Sequence, residues 1–422
     1  MIKSVNFKLV IFVFLFLVML IDLKAQIVPP IYVVIFTHIE DNTPTGVLGT
    51  TEARQNYILW RNRLITLGNL FFQYKAKWVL EPDWKFLLAA LNYEDSTLTS
   101  NTNKKNLFRY LKEDLNVAID PHSHEKQGFN YTDVAHLLDS LGVGGSTVIG
   151  GHVWDPNLPE FAEWDRFRVP VAGSKFPWAV WRGDILMGSA TPNHINDPHI
   201  SGVWRPKDRY HFWEDDPLGN IVCIGQYKNS DKAYFNEFIK NINELGDLYR
   251  TGKVATKFML TIYKHLTPAE ISAPKMLQSI EDSLLKPLLQ LQSMGRLKLT
   301  DFTSLIADWK TLFNSQAFIY NPDFPSAIEN TLGLFSDITL FEIYPNPFNS
   351  ETSIHFELIT DAKIILKITN LFGQEIETLL EKDLSAGKYS LNFKPDYLTD
   401  GVYFCYLSNG IFIISKKIVF IR

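Results

Sequence analysis

The chain runs Ile31-Tyr32-Val33-Val34-Ile35-Phe36 and then, with no turn residue between, Thr37-His38-Ile39-Glu40-Asp41-Asn42. An unbroken β-branched and aromatic run of this length reads as a strand buried on both faces, the kind found in parallel sheets. The polar residues that follow stand where such folds collect their reactive groups, at the carboxyl ends of the strands. Later runs of similar kind are Val117-Ala118-Ile119, Ser146-Thr147-Val148-Ile149, Ile185-Leu186-Met187-Gly188 and Phe258-Met259-Leu260-Thr261-Ile262. Between them lie helix-like segments over Thr51 to Leu67, Asn103 to Leu115, Tyr131 to Leu141, Asp231 to Thr251 and Thr267 to Ser293. Strands alternating with helices predict an α/β fold, a distorted parallel α/β barrel, over residues 26–318.

After about Asn330 the pattern changes to short alternating runs, including Ser353 to Leu358, Lys363 to Ile368, Tyr389 to Phe393 and Val402 to Leu407, with Gly-containing turns between. This spacing predicts a small all-β, immunoglobulin-like sandwich over 341–422, with 319–340 as linker. Tyr344-Pro345-Asn346-Pro347-Phe348-Asn349, Phe372-Gly373-Gln374-Glu375, Leu384-Ser385-Ala386-Gly387-Lys388-Tyr389, Gly401-Val402-Tyr403-Phe404 and Lys416-Lys417-Ile418-Val419 resemble the C-terminal sorting domain of the type IX secretion system. That resemblance implies that the type IX machinery carries the protein through periplasm and outer membrane, to be secreted or held at the cell surface. A substrate-binding or adhesive sandwich is the plainer alternative.

The amino terminus fits export. Lys3 and Lys8 precede an apolar run from Leu9 to Ile21, and Ala25 offers a small residue at a cleavage point, so residues 1–25 read as a signal peptide. Such a run is too short to span a bilayer as a helix, which takes roughly 20 residues, and no stable membrane span is expected after cleavage. The net charge of −5 gives no basic field for nucleic acid. Only Cys223 and Cys405 are present, in different predicted domains, which excludes a disulfide framework and a thiolate zinc site.

Nine of the ten histidines precede residue 318. The densest cluster is Asp120-Pro121-His122-Ser123-His124-Glu125, directly after a predicted strand, and Tyr263-Lys264-His265 follows another. Imidazoles beside carboxylates suit zinc or another divalent first-row metal. Asp41 is the candidate ligand from the first strand, leaving Glu40 as general base on a metal-bound water. The bland reading of the same loop is a hydrogen-bonded turn with no metal.

These motifs, in this order, resemble the polysaccharide deacetylase superfamily, which implies a distorted α/β barrel and metal-dependent removal of acyl groups from a glycan. Glu40-Asp41 matches that family's opening acid pair, with Glu in place of the more usual Asp. The second motif admits two registers: one puts Asp120 and His124 at the ligand positions, while the other starts at His122 and would require Lys126, a poor ligand. Asp120 and His124 are therefore preferred, and His122 stays a candidate. Gly202-Val203-Trp204-Arg205-Pro206 resembles the Arg-Pro motif, which implies that Arg205 orients the catalytic acid. Ile262 to His265 resembles the last motif, which implies that His265 protonates the leaving group. The expected partner is an acylated carbohydrate and the expected cofactor a divalent metal, zinc. Two alternatives stand beside this: a non-catalytic glycan-binding surface protein on the same barrel, and a glycosidase using Glu40 and Asp120 as paired carboxylates. His152, on a Gly turn, and His194, His199 and His211, in a Trp-rich region, read more simply as structural or substrate-facing.

Overall fold

The computed structural model describes residues 28–151, 163–187, 199–208, 211–228, 234–273, 275–322, 338–358, 361–370, 374–408 and 413–422. The expected signal peptide, the middle of the expected linker, His152 and His194 lie outside these residues.

Among the described residues the first unit contains the strands β1 (Ile31–Ile39), β2 (Val79–Pro82), β3 (Ala118–Ile119), β4 (Val148–Ile149), β5 (Val171–Ala172), β6 (Val180–Trp181), β7 (Ile185–Met187), β8 (Ser201–Trp204), β9 (Val222–Ile224), β10 (Thr261–His265), β11 (Leu297–Thr300) and β12 (Phe318–Tyr320). Its longer helices are α1 (Thr51–Gln73), α2 (Trp84–Tyr93), α3 (Tyr131–Ser140), α4 (Phe235–Arg250) and α5 (Phe302–Leu312). One sheet has the order β10-β1-β2-β3, with β11 also on β1, and is parallel throughout. The other has the order β12-β8-β9-β7-β4. There β4, β7 and β9 are parallel, whereas β8 runs antiparallel to both of its neighbours, β9 and β12, a departure from the all-parallel expectation.

The first strand organises both cores because its residues alternate between them. Ile31, Val33, Ile35 and Ile39 pack with Tyr57, Leu64 and Phe71 of α1. Tyr32, Val34 and Phe36 pack with Val148, Ile185, Val203, Val222 and Ile224 of the second sheet and with Phe302, Leu305 and Trp309 of α5. All six residues of Ile31 to Phe36 are at most 3 % exposed; at roughly 1.5–3 kcal/mol for each large apolar side chain, this strand is a principal anchor. The second core thus lies between the two sheets. They also touch at their margins: His122 and Gly150 form a parallel bridge that continues β3 beside β4. Thr261 of β10 accepts the Gly202 N–H at 2.8 Å through Oγ1, and the Ser201 hydroxyl donates to the Thr261 carbonyl at 2.8 Å.

Local sequence sets the ends of the elements. Thr50 caps α1, its Oγ1 accepting the Ala53 N–H at 3.3 Å. The helix expected over Thr267 to Ser293 is broken. Pro268–Ser272 ends at Ala273, which is extended at φ −69° and ψ 145°, as expected for a residue that precedes a proline, here Pro274. The strand expected at 258–262 is displaced, spanning Thr261–His265.

The C-terminal unit is all-β. Strands β13 (Ile338–Tyr344), β14 (Thr352–Leu358) and β17 (Gly387–Phe393) form one antiparallel sheet; β16 (Glu375–Leu384), β15 (Ala362–Thr369), β18 (Gly401–Ser408) and β19 (Ile413–Phe420) form another. Strict alternation in β14 sends Ile354, Phe356 and Leu358 into a core shared with Ile364, Leu366, Ile368, Cys405 and Ile418. Cys223 and Cys405 are buried and form no disulfide. No helix among the described residues is long and apolar enough to cross a membrane.

Candidate functional site

The alternation that puts Tyr32, Val34 and Phe36 into the inter-sheet core continues to His38 and Glu40, which leave β1 on the same face at its carboxyl end. The register completes the cluster. His38 lies opposite Glu81 of β2, and Phe36 opposite His265 of β10. The His122 N–H reaches the Pro82 carbonyl at 3.4 Å. Four strand ends thereby converge on a group of imidazoles and carboxylates.

Glu40 is the hub: its Oε1 lies 3.3 Å from His38 Nε2 and its Oε2 3.1 Å from His124 Nε2. His122 Nε2 lies 3.3 Å from His124 Nε2. The His38 ring sits 3.8 Å from that of His265 and 4.5 Å from that of His122, centroid to centroid. One ligand-type atom from each of His38, Glu40 and His122 can be chosen so that all three lie within 4.8 Å of one another. Two imidazoles and a carboxylate at that separation suit a divalent first-row cation.

Charge is distributed unevenly here. Burial works to raise the Glu40 carboxyl, but the His124 hydrogen bond and the charges of His38, His124 and Lys126 outweigh it and bring it down to about 2. Burial tends to lower His124, yet the bond to Glu40 and the Glu40 and Asp83 charges carry it above the ordinary imidazole value. Burial, reinforced by His38, His124, His265 and Lys126, holds His122 well below that value, so its ring is neutral. Asp83, at the end of β2, is 1 % exposed. Burial lifts its carboxyl to about 7, the Trp84 N–H and His124 opposing while Asp41 and Glu40 add to the rise.

The residues singled out from the sequence divide between this cluster and other places. Glu40, His122, His124 and His265 are brought together. Asp41 is not paired with these imidazoles; its Oδ1 lies 3.7 Å from Lys126 Nζ. Asp120 stands one pleat below His122, where its Oδ1 accepts the Ser146 hydroxyl at 2.6 Å. Arg205 is at the other end of the sheet. Because β8 is antiparallel to β9, its carboxyl end meets the amino end of β9, with Trp204 opposite Cys223. The Arg205 guanidinium grips Asp215 at 3.0 and 2.6 Å and lines a cavity of about 560 Å³ with Thr147 and Asp184, the residues that precede β4 and β7. Trp204 is fully buried against Phe212, and His211 pairs with Asp208 at 2.8 Å.

Sequence reading missed His38, Glu81 and Asp83 as members of the site. His38 was signalled by the period-two face of β1. Glu81 and Asp83 were signalled by Trp78-Val79-Leu80-Glu81-Pro82-Asp83, a short apolar run ending in acids, like the other loaded strand ends.

Comparison with known proteins bears mainly on the C-terminal unit. Residues 342–421 match the secretion system C-terminal sorting domain. The chain is therefore a cargo of type IX secretion, exported to the cell surface or beyond it, and the sorting domain implies contact with that machinery. No curated protein matches the chain. Among solved structures, the dimeric latent PorU of Porphyromonas gingivalis aligns at 12 % identity and a TM-score of 0.18, covering 21 % of this chain and 10 % of that one. PorZ, a surface component of the type IX system of the same organism, aligns at 18 % identity and a TM-score of 0.15, covering 19 % and 11 %. This chain thus spans about a tenth of the length of either. A Cellulomonas fimi endo-β-1,4-mannanase double mutant aligns at 10 % identity and a TM-score of 0.22 over 93 % and 94 % of the two chains. Neither the matched family nor these structures extends the deacetylase resemblance.

Proposed function

We propose that the first unit is a distorted α/β barrel carrying a metal-dependent hydrolase site, with His38, Glu40 and His122 as ligands and an acylated glycan as substrate. The observation that carries this reading is the convergence of those three side chains, their ligand atoms within 4.8 Å, at the carboxyl ends of neighbouring strands. The barrel is supported by the core shared between the two sheets, the His122–Gly150 bridge and the Thr261 hydrogen bonds. The substrate class rests on the resemblance to polysaccharide deacetylases.

A divalent cation, with zinc suited to this nitrogen and oxygen set, supplies polarisation of an acyl carbonyl when bound. The chain's own groups do the rest. His124 holds the Glu40 carboxylate by the 3.1 Å contact. Asp83, whose proton uptake falls near neutrality, is the acceptor for the proton of an attacking water. His265, its ring tilted against that of His38 at 3.8 Å between centroids, is the imidazole available to return a proton to the departing oxygen or nitrogen. In this scheme Glu40 serves as ligand rather than base, and Asp41, Asp120 and Arg205 are outside the ligand set. The two-carboxylate alternative needs Asp120 beside Glu40, whereas Asp120 is engaged by Ser146.

The test is metal content of the purified mature chain by mass spectrometry beside His122→Ala, followed by an acyl-release screen on acylated glycans. About one equivalent of divalent metal, lost in the variant, supports the centre. No metal in either protein overturns it, and metal without acyl release overturns the substrate class alone.

A further inference from the structure

We propose that Glu81 is the positioning residue for His122, accepting the Nδ1 proton so that the Nε2 lone pair faces His38 and Glu40. The proposal rests on the metal reading of the cluster and concerns a residue outside its ligand set.

An imidazole can ligate through Nε2 only if its proton sits on Nδ1, and whatever lies at Nδ1 decides this. In this protein the group at Nδ1 is a carboxyl: Glu81 Oε2 is 3.5 Å from His122 Nδ1, and both side chains are 0 % exposed. Neither Glu81 oxygen has a hydrogen-bond partner among the described residues, and neither does His122 Nδ1. Buried polar atoms are costly when unsatisfied, so each of the two groups answers the other's need. The opposite edge of the ring points into the cluster, with Nε2 3.3 Å from His124 Nε2.

The surroundings leave room for this pair. A Cβ on Gly150 would stand 2.9 Å from Glu81 Oε2, and one on Gly151 would stand 2.2 Å from His122 Cε1. Two consecutive glycines thus form the wall against which the carboxylate and the ring rest. The backbone adds its own constraint, since Glu81 is in register with His38 and the His122 N–H meets the Pro82 carbonyl. A glutamate held only for packing would not require its carboxyl to face an imidazole nitrogen.

Glu81→Gln keeps the shape and offers an amide in place of the carboxylate. Two quantities are read on the mature chain and this variant: the zinc dissociation constant by competition with a chromophoric chelator, and the histidine tautomers of the metal-free protein by ¹⁵N NMR. The expected result is zinc binding weakened about 10- to 100-fold, a His122 Nδ1–H signal lost from the variant, and a similar thermal midpoint in both. Glu81→Asp, which retains a carboxylate, should recover part of the affinity. Zinc affinity within twofold of wild type together with an unchanged His122 tautomer would overturn the proposal. If the wild-type chain binds no divalent cation, the metal reading falls, and the tautomer of the metal-free protein then decides the role of Glu81 by itself: its loss in Glu81→Gln supports the role and its persistence refutes it.

Discussion

Gly151 offers the sharpest perturbation of the cluster that leaves every candidate ligand in place. Its φ is +71°, and a Cβ built there would lie 2.2 Å from His122 Cε1 and 2.6 Å from Nδ1. Gly151→Ala therefore carries two costs. A non-glycine residue in the left-handed region costs about 1–2 kcal/mol, and the ring must retreat by about 1.2 Å to reach the 3.4 Å of ordinary contact. A metal constellation tolerates about 0.5 Å of misplacement, so the second cost falls on binding. Gly145 supplies the control, because its φ is +98° and nothing lies within 4 Å of its added Cβ. Gly145→Ala should lose stability in urea melts by the backbone cost alone and bind zinc as wild type does. Gly151→Ala should lose at least as much stability and bind zinc more than tenfold more weakly. If both variants melt alike and bind zinc within threefold of wild type, His122 does not stand against Gly151 as a ligand, and the reasoning fails.

Three further outcomes are expected. Asp83 has its carboxyl raised from 3.8 to about 7 by burial, so the native state holds that proton more tightly than the unfolded chain and the residue costs stability as pH rises. In metal-free protein, Asp83→Asn should be the more stable form, its advantage growing between about pH 4 and 7 and levelling above at on the order of 4 kcal/mol; urea melts across pH read this, and an advantage that shrinks with rising pH would refute it. Arg205→Ala should leave zinc affinity unchanged, because the residue is at the far end of β8, while costing roughly 3 kcal/mol through the orphaned Asp215; a change in zinc affinity with stability intact would reverse that assignment. A chain ending before residue 342 should fail to cross the outer membrane, as read by immunoblotting of cell fractions and medium, and its appearance outside the cell would contradict the role of the sorting domain.

The parts of this protein legible in the sequence are those written as periodicity. Continuous burial announced β1, strict alternation announced β14, and the turn and strand motifs after Tyr344 announced the sorting domain. Short strands were hard to see: β2 has four residues and β9 three, too few for a period to show, and with β2 went Glu81 and Asp83. The direction of β8 was equally hidden, since no local feature of Ser201-Gly202-Val203-Trp204 distinguishes an antiparallel strand from a parallel one, and that direction sends Arg205 away from the histidines. Near neighbours in sequence meet different partners. Glu40 faces the imidazoles while Asp41 meets Lys126, and His122 does so while Asp120, two residues earlier, meets Ser146.

The two cysteines divide the chain usefully. Cys223 lies in β9 of the first unit and Cys405 in β18 of the second, and both are 0 % exposed. A thiol so enclosed reacts with an alkylating reagent only when its surroundings open. Each unit therefore has a built-in reporter of its own unfolding, and peptide mapping after a timed pulse of reagent would tell which of them yields first under heat, denaturant or the passage through an export channel.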